Sequence, residues 1–379
     1  MTTVPAPDRE HRPGRLLVRA RPASPRGDDR VRDHADGLWT AIRAADASSA
    51  ADLVAGALRA GLAPETVLLD VIGAVQRKVG VEWAANRMSV AEEHAATAVN
   101  EHALTALVAR RPAPTRGRVT VACVDKEWHA LPARFLAEVL RLRGWRVDHL
   151  GARVPTAHLI SRLHRAGATA VCLSASLSTR LPAAHAAVTA VQATGVPVMV
   201  GGLAFGVDGR YARLLGADAW ASDARGAADR LAAGPLPAPR PPRQAVDDLP
   251  HLADQEYTLV ARCARGLVRR TFQGLERRLP PMRDYTAEQL ERTAEDLAQI
   301  VDFLAAALYV DDADVFTGFL TWTAEVLTTR GVPAHVVPPA LDLLEEQLRD
   351  FPRARGLVAA GREALGPFVR GRPASAPAP

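Results

Sequence analysis

Apolar positions follow three successive patterns along this chain. From residue 36 to about 111 they recur at helical spacing. Leu53, Val54, Leu58 and Leu62 make one stripe, and Leu68, Val71, Ile72, Val75 and Val79 make a second. Pro64 suits the first turn of a helix. Residues 86–89 break the pattern, and Ser89 with Glu92 forms a capping box that opens the next helix. The pattern predicts a bundle of about four helices over residues 35–112. At residue 118 the texture changes. A continuous apolar run at 119–124 reads as a buried strand, followed by a helix over 132–143 and a short strand at 145–150. Helix 157–166, strand 170–174, helix 183–194 and strand 197–200 follow, and a last strand–helix pair lies between 211 and 233. Strands alternating with helices imply a parallel sheet covered on both faces. Residues 117–234 are therefore expected to form a doubly wound, Rossmann-like α/β domain, whose ligands sit beyond the carboxyl ends of the strands.

A third texture begins after a Pro-rich stretch. Residues 235–248 read as a semi-rigid linker, and 249–370 as an all-α domain. There Thr286 and Gln289 form a capping box, and Leu290, Leu297, Ile300, Leu304 and Leu308 share one face. Val315, Phe316, Phe319, Leu320, Val326 and Leu327 line a further helix that Gly331 stops. The ends, 1–34 and 371–379, are expected to be disordered tails rich in Pro, Arg and Ala. No repeat of fixed period is present.

Composition narrows the function classes. The 47 basic and 42 acidic side chains leave a net charge of only +5, and no basic helix is interleaved with aromatics, so a nucleic-acid partner is not expected. No apolar run reaches spanning length, and no apolar signal core opens the chain. A cytoplasmic protein is the expectation. Cys123 and Cys172 fall in strand-like runs and read as buried thiols.

Candidate chemistry starts just after the first strand, where Glu127-Trp128-His129 occupies the first βα loop. A neutral imidazole is a good ligand for a transition metal such as cobalt, and a carboxylate two residues away can hold the other ring nitrogen. Ser174 ends a later strand and Gly201-Gly202 ends the next, so the three points converge on one sheet edge. Taken singly, a loop His is most often solvated and a Gly-Gly is most often a turn. Their joint order resembles the cobalamin-binding domain of methionine synthase and the B12-dependent mutases, with its Asp-x-His-x-x-Gly, Ser-x-Leu and Gly-Gly. The resemblance implies that His129 is the lower ligand of the cobalt. It also implies that Ser174, Ser176, Gly201 and Gly202 line the slot for the displaced nucleotide tail. Glu127 stands in place of Asp, which is expected to lengthen the hydrogen bond to His129. Pro132 stands where Gly is expected and Ser176 where Leu is, which would reshape the slot.

The helical cap carries Trp83 and, after nine intervening residues, Glu93-His94. By itself this is a core Trp beside an acidic helix start. With the domain that follows, it resembles the light-sensing B12 regulators of the CarH type, in which the Trp and Glu pack on the upper adenosyl group. The His that follows the Trp in that family is Ala84 here, so the light state must end differently. A helical domain behind such a unit, together with the run 322–333, resembles the photocobilins, which pair B12 with biliverdin. That resemblance implies a bilin held by apolar side chains and by Arg, His or Tyr. Tyr257, Cys263, Arg265, Arg269 and His335 are the candidates. Cys263 is expected to be a buried, inert thiol, so a non-covalent bilin is preferred. The expected function is a photoreceptor rather than an enzyme. It would bind adenosylcobalamin and biliverdin, form a homo-oligomer, most simply a dimer, and act on an unknown effector. The alternatives are a corrinoid methyl carrier of a methyltransferase system, or a B12-binding module without photochemistry. A B12 mutase is not expected, because no stretch is left for a substrate barrel.

Overall fold

The computed structural model describes residues 28–241 and 244–370. The helical cap comprises α1 (Asp28–Arg43), α2 (Ala47–Arg59), α3 (Pro64–Thr66), α4 (Gly73–Ala84) and α5 (Val90–Ala103). The cap therefore starts earlier than the sequence pattern suggests, because α1 takes in residues 28–34, expected as tail. Residues 1–27 and 371–379 of the expected tails lie outside the described residues. Asp46 caps α2 by accepting the Ser49 amide at 2.9 Å, and the Ser89/Glu92 capping box opens α5. Between α3 and α4 the helix passes without a break through a π-helical segment, Val67–Ile72.

The α/β domain has five parallel strands: β1 (Arg118–Cys123), β2 (Arg146–Gly151), β3 (Ala170–Ser174), β4 (Val198–Gly201) and β5 (Ala219–Ala221). Their order is β2-β1-β3-β4-β5. Helices α6 (Ala130–Leu142), α7 (Thr156–Ala166), α8 (Leu181–Gln192), α9 (Arg210–Leu214) and α10 (Ala224–Ala232) connect and follow them. Strand order reverses at β1, so the crevice between the ends of β1 and β3 is the natural ligand position. The period-2 alternation of strands divides the apolar side chains between two cores. Val119, Val121, Cys123, Cys172 and Met199 face the cap together with α6 and α10. Ala122, Val124, Val171, Leu173 and Val200 face α7 and α8.

The third region is all-helical, as expected: α11 (Ala245–Asp248), α12 (Glu256–Arg278), α13 (Ala287–Val310), α14 (Ala313–Thr329), α15 (Pro338–Gln347) and α16 (Pro352–Arg370). It is docked on the α/β domain rather than held away by a free spacer. Buried His185 on α8 has Nδ1 2.9 Å from the Tyr309 hydroxyl of α13 and Nε2 3.3 Å from Asp248 of α11. Tyr211 donates to Asp312 at 2.8 Å. The stretch expected as linker is itself packed, with Leu236 buried and α11 within it. On the opposite side, Arg143 and Arg225 grip the cap. Arg143 pairs with Glu65 at 2.8 Å, and Arg225 pairs with Asp70, in the π-helical segment, at 2.5 Å. Among the described residues no helix is long and apolar enough to cross a membrane.

Candidate functional site

Beyond Cys123 the chain turns through Lys126, whose φ of 62° is left-handed, and delivers Glu127 to the carboxyl edge of the sheet. His129 follows as the N-cap residue of α6. The Glu127 carboxylate is fully buried, a placement tolerated only when hydrogen bonds replace water. Its Oε1 accepts the backbone N–H of His129 at 3.0 Å and lies 2.5 Å from the ring Nδ1. Its Oε2 accepts the amides of Ser176 at 2.8 Å and Leu177 at 3.3 Å. The Arg153 amide donates to the Glu127 carbonyl at 2.9 Å. One residue thus joins the loops that follow β1, β2 and β3. Burial alone would raise the carboxyl pKa, but the bonds from His129 and Ser176 outweigh it and hold it at about 2. An ionised Glu127 can only accept, so the His129 Nδ1 that faces it carries a proton, and in a neutral ring Nε2 is the nitrogen available as a ligand.

Two expectations change here. Glu in place of Asp does not lengthen the bond. The N-cap turn folds His129 back over the carboxylate, so ring and backbone share one oxygen. Ser176 reaches the site through its amide on Glu127 rather than by lining the slot, a contact that does not depend on its side chain. A feature unassigned from sequence is Trp128, half-exposed and stacked on the His129 ring with centroids 3.9 Å apart at 28°.

The slot itself opens between the strand ends and α6. It is a cavity of about 120 Å³ lined by Ser174, Gly201 and Gly202 on the sheet side and by Pro132 and Leu136 on the helix side. Gly202 has φ +102°, and a Cβ there would lie 2.2 Å from the Ala175 carbonyl oxygen, so only glycine fits.

In the cap, Trp83 stands in the last turn of α4, and Glu93 and His94 in the first turn and a half of α5, the helix packed beside it. Glu93 accepts from the Thr97 hydroxyl at 3.0 Å and lies 2.9 Å from His94 Nδ1. The third domain meets the cap at this point. Trp322 of α14 stacks on Trp83 with centroids 6.3 Å apart at 26°, and the Arg330 guanidinium lies 4.7 Å from the Trp83 centroid. The Thr329 hydroxyl donates to the Ala84 carbonyl at 3.1 Å. No local pattern could have paired positions so far apart in sequence.

A second cavity, about 590 Å³, lies between α12 and α13. Val268, Phe272, Ala294 and Ala298 form apolar walls, and Arg265, Arg269 and Asp302 add charge. Burial pushes the Asp302 carboxyl pKa up, while Arg180 and Lys126, on loops at the sheet edge, draw it back down. Of the five residues considered for a bilin, Arg265 and Arg269 line this cavity. Tyr257 packs edge-on against Tyr309 instead, 4.7 Å between centroids, and His335 is exposed in the turn before α15. Cys263 is exposed, not buried. The buried stripe of α12 runs Val260, Leu267, Thr271, and at the helical step between Val260 and Leu267 the half-buried Ala264 takes the inner position.

The donor chemistry suits a corrinoid. Among the described residues no cluster of three or more His, Cys, Asp or Glu is gathered for a bare metal ion. A metal already held by a macrocycle needs only one protein ligand, and the chemistry of His129 Nε2 fits that need. Residues 117–232 match the B12 binding domain family, and residues 34–108 match a second family also described as a B12 binding domain. No curated protein matches the sequence. Solved structures similar to this chain include the monomethylamine corrinoid protein of Methanosarcina barkeri. It is 19% identical, with a TM-score of 0.47, covering 53% of this chain and 97% of that one. A cobalamin-binding protein from Desulfitobacterium hafniense DCB-2 is 20% identical with a TM-score of 0.30, over 52% of this chain and 97% of its own. The methanol:cobalamin methyltransferase complex of Methanosarcina barkeri is 16% identical with a TM-score of 0.30, over 58% and 91%.

Proposed function

We propose, on the premise that residues 34–232 form a cobalamin-binding unit, that this protein is a photoreceptor whose C-terminal domain reads the upper face of the cofactor. The observation that carries this reading is the seating of Trp322 and Arg330 on Trp83, the cap residue best suited to cover an upper ligand. When bound as adenosylcobalamin, the corrinoid supplies a cobalt–carbon bond that light cleaves. His129 would hold the metal from below through Nε2, with Glu127 fixing its tautomer. Ser174, Gly201 and Gly202 would admit the nucleotide tail. Trp83 offers an apolar face to the upper group, and Glu93 and His94 offer hydrogen bonds to its hydroxyls. Contacts present only with the upper group in place favour one cap position, so losing them shifts the balance of states. The ion pairs of Glu65 and Asp70 hold the far side of the cap, which directs any movement towards Trp83 and the third domain. A homodimer is the proposed assembly and a protein effector the proposed output; no catalytic residue is assigned.

Biliverdin is proposed for the α12–α13 cavity, where Arg265 and Arg269 would meet its two propionates. Cys263 does not line the cavity, which favours a non-covalent bilin. Co-expression with a biliverdin source should give a red-absorbing protein, and Arg265→Glu with Arg269→Glu should abolish the colour. A protein that takes up cobalamin but never biliverdin would make this domain a docking module only.

The second reading is a corrinoid methyl carrier, the role suggested by the names of two of the similar structures. It uses the same His129 and slot. A carrier must open the upper face to partner enzymes, whereas here a domain of the same chain occupies Trp83. Scattering profiles of protein loaded in the dark with adenosylcobalamin, then illuminated, separate the two. A changed profile supports the photoreceptor; identical profiles with photolysis demonstrated by absorbance remove it.

A further inference from the structure

The upper side of the site is built from two regions of the chain. Trp83 sits on the last turn of α4, a helix end whose carbonyls need partners. One partner comes from the third domain, since Thr329 donates to the Ala84 carbonyl at 3.1 Å. Asn86, just past the helix, donates back to the Thr329 carbonyl at 3.3 Å. These two bonds set the register of the end of α14 against the end of α4. Beside them the Trp83 indole meets both the ring of Trp322 and the guanidinium of Arg330. Both indoles are partly buried, Trp83 against the core shared by the cap and Trp322 against that of the third domain, and they meet where the two cores adjoin. Trp322 is fixed in turn from behind. Phe319 lies 6.3 Å from it, and Phe303 stacks on Phe319 at 3.9 Å and 5°. The row Trp83–Trp322–Phe319–Phe303 therefore ends on α13, one residue from Asp302 in the wall of the second cavity. The same helix α13 packs against the turn Ser178–Arg180 beyond β3.

We infer that Trp322, with Arg330, is a positioning residue for the upper-ligand pocket. The C-terminal domain sets the orientation of Trp83, and thereby the preference of the site for a corrinoid with a large upper ligand. The inference rests on the reading that Trp83 covers that ligand. It assigns a role in cofactor selection to a domain that neither B12-binding family match includes.

The test uses the full chain and four proteins: wild type, Trp83→Ala, Trp322→Ala and Trp322→Phe. Dissociation constants are measured in the dark for adenosylcobalamin and hydroxocobalamin. A stacked aromatic contact corresponds to a factor of roughly 3–10 in affinity. Trp322→Ala should weaken adenosylcobalamin by about that factor and hydroxocobalamin by less than about twofold, the same pattern as Trp83→Ala, and Trp322→Phe should recover most of the loss. An independent readout needs no cofactor. A stacked indole pair gives a far-ultraviolet exciton couplet in circular dichroism, and either Ala variant should remove it from the apoprotein. Discrimination by Trp83→Ala without any in Trp322→Ala overturns the inference and leaves the upper-face reading standing. Equal losses of both cobalamins in Trp83→Ala overturn the upper-face reading itself. A couplet that survives Trp322→Ala shows that the two indoles do not meet, and the inference fails with the contact.

Discussion

Glu127→Gln isolates the most constrained group in the site. The side chain is fully buried, and its carboxyl is held at about 2 against an ordinary value of 4.5. At about 1.4 kcal/mol for each tenfold change in proton affinity, that difference corresponds to roughly 3 kcal/mol of stability near neutral pH. A second route gives a similar figure. The amide oxygen of Gln can still accept from His129, but the amide nitrogen then faces the Ser176 and Leu177 N–H groups, donor against donor. Losing a charge-assisted bond to a buried group costs about 1.5–3 kcal/mol. The variant should therefore be about 2–3 kcal/mol less stable in urea denaturation at pH 7. The sign with pH follows from a depressed carboxyl. Its contribution is complete above 4.5 and is lost as pH falls from there towards 2, so the gap between wild type and variant should narrow over that window. Cobalamin affinity should fall by about 10–100-fold, because a neutral amide no longer polarises the imidazole. Variant and wild type agreeing within about 0.5 kcal/mol at pH 7, the ordinary scatter of surface substitutions, would refute the argument. A gap that does not change with pH would do the same.

Gly202→Ala should destabilise the protein by about 2–4 kcal/mol, from a positive φ and overpacking against the Ala175 carbonyl, and should weaken cobalamin binding; thermal melts and an absorbance titration check both. His129→Ala should leave a cobalamin spectrum without protein nitrogen on cobalt, and nitrogen hyperfine splitting in the electron resonance of the cobalt(II) form should vanish. A maleimide should label native protein once, at exposed Cys263, and mass spectrometry should find Cys123 and Cys172 untouched, since burial pushes both thiols up to about 12.

The local rules carried far along this chain. Buried strands announce themselves as apolar runs, and a doubly wound order sends their carboxyl ends to one edge, so Glu127, His129, Ser174 and Gly201-Gly202 were legible as a set. What escaped depends on backbone or on distance. The Ser176, Leu177 and Arg153 amides that surround Glu127 carry no residue-specific signature, because any residue but proline offers an N–H. The π-helical turn at Val67–Ile72 leaves the apolar stripe almost unchanged. Trp83 and Trp322 meet only because two helix ends meet, which no periodicity encodes. Cys263 misled because its neighbours are mixed. One helical step of about 100° separates it from the buried stripe, and Ala264 takes the inner position.

The sheet also acts as a partition, and this bears on how the protein can be cut or recombined. One apolar core runs from the cap through the near face of the strands, and the other from the far face into α12–α16. The units that melt together are therefore expected to straddle the borders at which sequence families begin and end. A fragment stopped at residue 232 would keep the residues proposed to touch cobalamin, though not Trp322 and Arg330, yet bare the outer face of α8, including His185 and its apolar neighbours. Such a fragment would tend to associate through that face. Grafting the B12 unit onto another domain would succeed only with partners that bring a matching apolar surface, because the third domain covers a face that the unit cannot cover by itself.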